Sequence, residues 1–338
     1  MQLDQGGLSD PVRLVIVAAG LDLLVGDPRW CPHPVVARGR VITGLRQWIE
    51  AWAGDRPFRL RAGGGLITLV LVLGSGGTGW LLERLILPQS PLPHPIAALL
   101  VVIALSSSLA ARSLRESVLA VLQALPDLAT ARNRLSWIVG RDVSQLNQDD
   151  ILRASAETAS ENAVDGLFAP LFWMLIGAGL WKAGFSQAPG PLALAWAFKA
   201  SSTLDSMLGY KHGRLRWLGT AGARLDDLLT WLPCRLVLIT LPLVSLSLTQ
   251  WQATVRAAVA DGKPDPSPNA GLSESIFAHC ADVQMGGLNR YGNTWINKPL
   301  LSGRSEKASA SGVRKLLNLG LRLEGAWLVV AAGWSFLQ

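Results

Sequence analysis

Long apolar runs alternate along the chain with basic segments marked by proline and glycine. Seven candidate spans can be read: Val12–Val25, Leu66–Leu87, Pro95–Ala111, Ala163–Lys182, Pro191–Leu208, Trp231–Leu248 and Gly325–Leu337. A helix needs about 20 apolar residues to cross about 30 Å of hydrocarbon. The first and last runs are short by that measure and read as tilted, interfacial or packed on neighbours. Trp231 and Trp251 would bracket the sixth span about 30 Å apart if it is one continuous helix, as aromatic anchors at both interfaces. Spanning segments must satisfy their own amides, and these runs lack the alternation of a β-barrel strand. The expected fold is therefore all-α, a polytopic membrane helical bundle forming one domain over residues 1–338. Gly63–Gly65 and Gly74–Gly79 fit close helix packing through small residues.

Composition agrees with a lipid environment. Half of the residues are hydrophobic and 16% are charged, where a soluble domain carries about a quarter. The net charge is +7, but the positives sit beside apolar runs instead of on an aromatic-laced soluble face, which argues against nucleic acid. Three segments are rich in Lys and Arg: 26–62, 112–161 and 209–230. Two short ones, 88–94 and 183–190, have neither. The positive-inside rule puts the three in the cytoplasm and the two outside, with the protein multi-pass in the cell (inner) membrane. One conflict follows. A crossing at Trp231–Leu248 would put 249–321 outside, although that stretch carries eight Lys or Arg. A re-entrant or surface-lying segment, or a count that is off by one span elsewhere, would remove the conflict. Cys31, Cys234 and Cys280 are isolated and suggest neither a metal site nor a disulfide framework.

Four clusters carry candidate chemistry. In the first, Asp22 interrupts an apolar run, where a charge needs a partner or cavity; Asp27-Pro28 breaks the helix, and prolines flank His33. A capped helix end with a rigid turn would look the same. In the second, Glu157, Glu161 and Asp165 recur at i, i+4 and i+8, which stacks three carboxylates on one helix face beside Asn162. Like charges so placed call for a cation, and Mg²⁺ favours carboxylate oxygens and substrate phosphates. A solvated helix face is the plainer reading. The third cluster holds Lys199, Asp205, Lys211, Arg224, Asp226 and Asp227. Lys199 lies within a candidate span, which points to function or to an ion-pair network between helices. In the fourth, Ser267-Pro-Asn269, Gly286-Gly287 and Tyr291 mark turns whose backbone amides could hold phosphate, or plain surface turns. Gly74–Gly79 lacks the Lys-Ser/Thr of a phosphate loop.

These strings together resemble the adenosylcobinamide-phosphate synthases, the CbiB/CobD-type membrane proteins of cobalamin biosynthesis. The matching residues are Asp22-Leu-Leu-Val-Gly-Asp-Pro-Arg29 with Pro32-His-Pro34, Val139-Gly-Arg-Asp142, Glu157 to Gly166 with Ala169-Pro-Leu-Phe172, Thr203 to Tyr210, Ala223-Arg-Leu-Asp-Asp227, Pro266-Ser-Pro-Asn269, Gly286-Gly287 and Tyr291-Gly292. They run in the family's order. Ser202, Thr230 and Asn293 depart from its pattern.

The resemblance implies ATP-dependent amide formation between a propionate carboxylate of adenosylcobyric acid and (R)-1-amino-2-propanol or its phosphate. It implies ATP and Mg²⁺ as cofactors, and other corrinoid-pathway enzymes as possible neighbours. On that reading Glu157, Glu161, Asp205, Asp226 and Asp227 are the catalytic acids and bases, with Glu161 and Asp227 on Mg²⁺. Asp22, Asp27, His33, Asn162, Asp165, Lys199, Lys211, Arg224, Ser267, Asn269, Gly286, Gly287 and Tyr291 meet substrate. A transporter using buried charges as a path, or a non-catalytic scaffold of the pathway, are the competing classes.

Overall fold

The computed structural model describes residues 10–27, 34–87, 90–245, 248–291, 294–303 and 305–336. The helices are α1 (Pro11–Val25), α2 (Pro34–Ala53), α3 (Pro57–Glu83), α4 (His94–Ser106), α5 (Ala111–Gln123), α6 (Leu128–Leu135), α7 (Gln148–Ala163), α8 (Ala169–Lys182), α9 (Pro191–Leu208), α10 (Leu215–Leu218), α11 (Thr220–Ser245), α12 (Leu248–Gly262), α13 (Ala270–Ala281) and α14 (Ala310–Phe336). Strands β1 (Val283–Tyr291), β2 (Thr294–Leu301) and β3 (Glu306–Lys307) form one small sheet in the order β2-β1-β3. The sheet is a minor addition to a helical protein.

Among the described residues, five stretches are long and apolar enough to cross a membrane: Pro57–Ile86, His94–Gln123, Gln148–Lys182, Thr220–Ser245 and Ala310–Phe336. The protein is thus a polytopic helical membrane protein. Two expected spans are not among the five. α1 has only 15 residues, about 22 Å of helix. α9 is long enough, but Lys199, Asp205 and its serines and threonine lower its hydropathy. The basic stretches read as loops are largely helical, because α2, α5, α6 and α7 fill them.

Contacts divide the chain into two compact units. The first comprises Met1–Ala110, Ala169–Leu229 and Ala331–Gln338; the second comprises Ala111–Phe168 and Thr230–Val330.

In the first unit, a core of Ile42, Ile49, Leu60, Ile67, Leu71, Leu204 and Leu208 joins α2, α3 and α9. Of the glycines expected to allow close packing, Gly63, Gly64, Gly76 and Gly79 do so, while Gly65, Gly74 and Gly77 face open space. A Cβ on Gly79 would come within 2.9 Å of the Ala193 Cα, and one on Gly64 would strike the Leu218 carbonyl. Glu83, at the end of α3 and buried, accepts hydrogen bonds from the amides of Gly190 (3.0 Å), Leu192 (2.5 Å) and Ala193 (3.3 Å). The Gly190 cap position has no side chain to do this. A carboxylate from another helix therefore caps α9, where orphan amides and the helix dipole favour negative charge.

In the second unit, Val121, Ala131, Leu135, Ile151 and Ala154 pack α5, α6 and α7 together. A π turn at Val164–Phe168 follows α7. Pro170 explains it: proline has no N–H to give the carbonyl four residues back, and its ring crowds that carbonyl.

The sixth expected span differs most. α11 stops at Ser245 and α12 folds back along it, so the Trp251 indole donates to the Ile239 carbonyl at 2.7 Å. Trp251 therefore cannot mark the far end of a helix that starts near Trp231. At the return, Arg235 donates to the Asn269 side chain (2.6 Å) and to the Pro268 carbonyl (2.9 Å).

Replacing Glu83 by Ala is expected to cost about 3 kcal/mol, because buried donors are left without an acceptor. Gln, which keeps one acceptor, is expected to cost less. Thermal unfolding in detergent measures both, and an Ala variant that melts like the wild type would remove the capping role.

Candidate functional site

The candidate residues fall into two groups, one in each unit. The larger is in the second unit. Glu157 and Glu161 of α7 both act electrostatically on Glu274 of α13, and Asp165 acts on Cys234 of α11. The acid column read from the i, i+4, i+8 spacing therefore faces α13 and α11.

Its neutralising charge comes from side chains. Arg141 donates through Nη2 to Glu157 Oε2 at 2.5 Å, with the two side chains 7% and 6% exposed. The other Glu157 oxygen accepts the Gly286 amide at 2.9 Å. Arg141 also binds Asn289 of β1, and Arg153 binds the carbonyls of Gly286 and Leu288. Lys298 of β2 lies 3.2 Å from Glu274 and 3.7 Å from Asp265. Burial is the main reason that the Glu274 carboxyl is pushed up to about 8; Glu161 and Glu157 add to the rise and Lys298 offsets part of it.

Backbone geometry makes this possible. β1 bulges between Met285 and Gly287, and Gly286 and Gly287 both have positive φ, 83° and 87°. A Cβ on Gly286 would strike the Pro299 carbonyl, so only glycine presents its amide to Glu157 here.

Several expectations change. Glu157, expected as a catalytic acid or base, has both oxygens engaged and positions the strand. Among the described residues, no group of three or more His, Cys, Asp or Glu side chains is arranged to hold a metal. Mg²⁺ is commonly held by one or two carboxylates together with substrate phosphates, and half-buried Glu161 fits that role. The amides read as a phosphate nest are largely used internally. Ser267 N–H donates to Asp265, and Ser267 Oγ accepts from the amides of Asn269 and Ala270. Asn162 turns its amide back onto Thr158. Asn269 is held by Arg235. Tyr291 ends β1, but its side chain, like Gly292, lies outside the described residues.

The smaller group is in the first unit. Asp205 of α9 feels the charges of Asp227 and Lys211, and Asp227 feels Lys211. Three members of the third cluster thus come together, two half-buried carboxylates beside an exposed lysine. Asp226 is buried, Lys199 is half-buried and Arg224 is exposed. Asp22 is fully buried where α1 ends at Gly26, whose amide donates to the Asp22 carbonyl at 2.8 Å; Asp27 is exposed. His33 lies outside the described residues.

Sequence reasoning missed Arg38. It is 6% exposed, stacks 5.3 Å from the Trp196 ring, and its two terminal nitrogens have no acceptor among the described residues. Burial pushes its guanidinium down to about 10, so it stays charged near neutral pH. An unanswered buried cation is costly and suits an anionic ligand. Arg141, Arg153, Glu274 and Lys298 were also missed as site members. Arg141 could have been found, since it sits in the Val139-Gly-Arg-Asp142 string.

The family described as CobD/Cbib protein matches residues 15–320. A cobalamin biosynthesis protein CobD from Synechocystis is 41% identical over 296 residues, covering 86% of this chain and 83% of that protein. CobD from Pelobacter propionicus is 38% identical, covering 92% and 90%. A cobalamin biosynthesis protein CbiB from Salmonella typhimurium is 37% identical, covering 90% and 91%. No solved structure matches the chain.

Removing one partner of the Arg141–Glu157 pair is expected to cost roughly 3–5 kcal/mol, and replacing both by methionine much less. A double-mutant cycle on thermal unfolding tests this; additive losses would mean that the pair is not coupled. Glu274 gives a pH signature. An acid whose folded pKa lies above its unfolded value adds stability that is present below about 4.5 and lost as pH rises through about 8. Glu274→Gln should therefore gain on the wild type between pH 5 and pH 8, and parallel melting curves across that range would contradict the assignment.

Proposed function

The chain belongs to the CobD/CbiB family, and on that premise we propose that it forms an amide bond in cobalamin biosynthesis, as an adenosylcobinamide-phosphate synthase. The acid would be a propionate of adenosylcobyric acid, and the amine (R)-1-amino-2-propanol or its phosphate. The observation that carries this reading beyond the family is the gathering of Asp205, Asp227 and Lys211 in the first unit, together with an unanswered Arg38.

The residue types suit the chemistry. A carboxylate does not accept an amine at neutral pH, because oxide is a poor leaving group. ATP bound with Mg²⁺ supplies the phosphoryl group that makes it a better one. Arg38 and Lys199 would hold carboxylate or phosphate by charge. Lys211 would steady the negative charge that develops near Asp205 and Asp227. The amine attacks only when neutral, so a base has to take its proton. Asp205 is our candidate, since a partly buried carboxylate beside a second carboxylate holds a proton more readily than a solvated one. In the second unit, Glu161 would face Mg²⁺, while Glu157, Arg141 and the Gly286 bulge keep that acid column in place.

Purified protein in detergent, given adenosylcobyric acid, aminopropanol phosphate and MgATP, is expected to release the amide product. Glu161→Gln and Asp227→Asn should each abolish turnover while leaving the melting temperature near that of the wild type. Arg38→Lys should raise KM for the anionic substrate more than it lowers kcat. Binding of the corrinoid without product would favour a scaffold, and corrinoid flux into liposomes without product a transporter.

A further inference from the structure

Most of the buried basic side chains in the second unit are ion-paired, but one group of exposed ones is not. Arg314, Lys315 and Arg322 line a cleft of about 310 Å³ together with Ser311 and Asn318 of the same helix, α14, and Ser245 from the last turn of α11. None of the three cations is paired with a carboxylate among the described residues. The Asn318 side-chain oxygen already accepts from Arg115 at 3.0 Å, so what Asn318 has left to offer is its amide donors. The polar groups of the cleft are thus three cations, one amide and two hydroxyls; Ser245 Oγ donates only at 3.4 Å to the Pro242 carbonyl and Ser311 Oγ shares a hydrogen bond with Ser309, so both can turn to an anion that the cations hold. Its volume is at the small end of ligand pockets, which run from roughly 300 Å³.

Position decides the kind of anion. Arg322 lies one turn before the apolar run that starts at Gly325, and Ser245 is the last residue of a second spanning helix. The walls of the cleft are therefore the polar first half of one candidate membrane-crossing helix and the last turn of another, which suits the zone where water meets hydrocarbon. Basic pockets between such helices are suited to phospholipid headgroups. Scattered basic residues would only set topology; a concave lining that includes uncharged donors from a second helix is more specific than that rule requires.

We propose that this cleft binds the phosphate of an anionic phospholipid headgroup. The site is independent of the amide-forming reading and is tested without any corrinoid.

Full-length protein in a neutral detergent is titrated with short-chain phosphatidylglycerol, short-chain phosphatidylcholine or inorganic phosphate, and thermal unfolding is followed. Phosphatidylglycerol should raise the melting temperature, with the other two far weaker. R314Q/K315Q/R322Q should lower the apparent affinity by roughly tenfold or more, about 1.4 kcal/mol per decade. S245A/S311A should weaken it several-fold without changing the charge. Should the triple variant not fold, Arg322→Gln alone, at an exposed position, carries the same test. Inorganic phosphate matching phosphatidylglycerol would reassign the cleft to a soluble anion and overturn the lipid assignment. An equal response to phosphatidylcholine, an unchanged response in the charge variants, or indifference to S245A/S311A would each overturn the proposal.

Discussion

A carboxylate taken out of water has to be answered, and Glu157 is answered on both oxygens. One meets the Arg141 guanidinium and the other the amide of Gly286. These two contacts fasten three pieces of chain that are distant in sequence: the 139–142 loop, α7 and the bulged strand β1. Desolvating such a pair is expensive and is repaid only when the geometry is good and the remaining donors are satisfied. Arg141 meets that condition by also binding Asn289, and Arg153 by holding the carbonyls on either side of the bulge. The Glu157 end of the acid column on α7 is therefore answered by groups of the same unit.

The first unit solves a different problem with the same residue type. α9 carries Lys199 and Asp205, and its N terminus is buried against the end of α3. Glu83 supplies the acceptors that this terminus lacks. A polar helix is thus anchored by a carboxylate at one end, while its small-residue face lies against Gly76 and Gly79 of α3. Arg38, over Trp196 of α9, is a buried cation whose terminal nitrogens have no acceptor among the described residues.

Much of this was legible in the residues. Long apolar runs disclosed the helices at 66–87, 95–111 and 163–182, because membrane burial writes itself into composition. The polar ends of those helices stayed hidden: α3 begins at Pro57 with Arg59 and Arg61 in its first turns, which a hydropathy reading takes for loop. The end of α11 at Ser245 was invisible, since apolar residues continue beyond it in the sequence. The spacing of Glu157, Glu161 and Asp165 disclosed a shared face, but no periodicity links it to Arg141 sixteen residues earlier or to Glu274 and Lys298 on other elements. The bulge at Gly286 was read as a turn that frees amides; in the fold it commits one of them to Glu157. Partners that meet across the fold are encoded by packing as a whole and not by local pattern.

Trp251 reaches back to Ile239, and Asn269 comes to rest beside Arg235. The chain thus doubles back after Ser245, and α12 and the segment that follows it return the backbone at Pro268 and Asn269 to the level of Arg235.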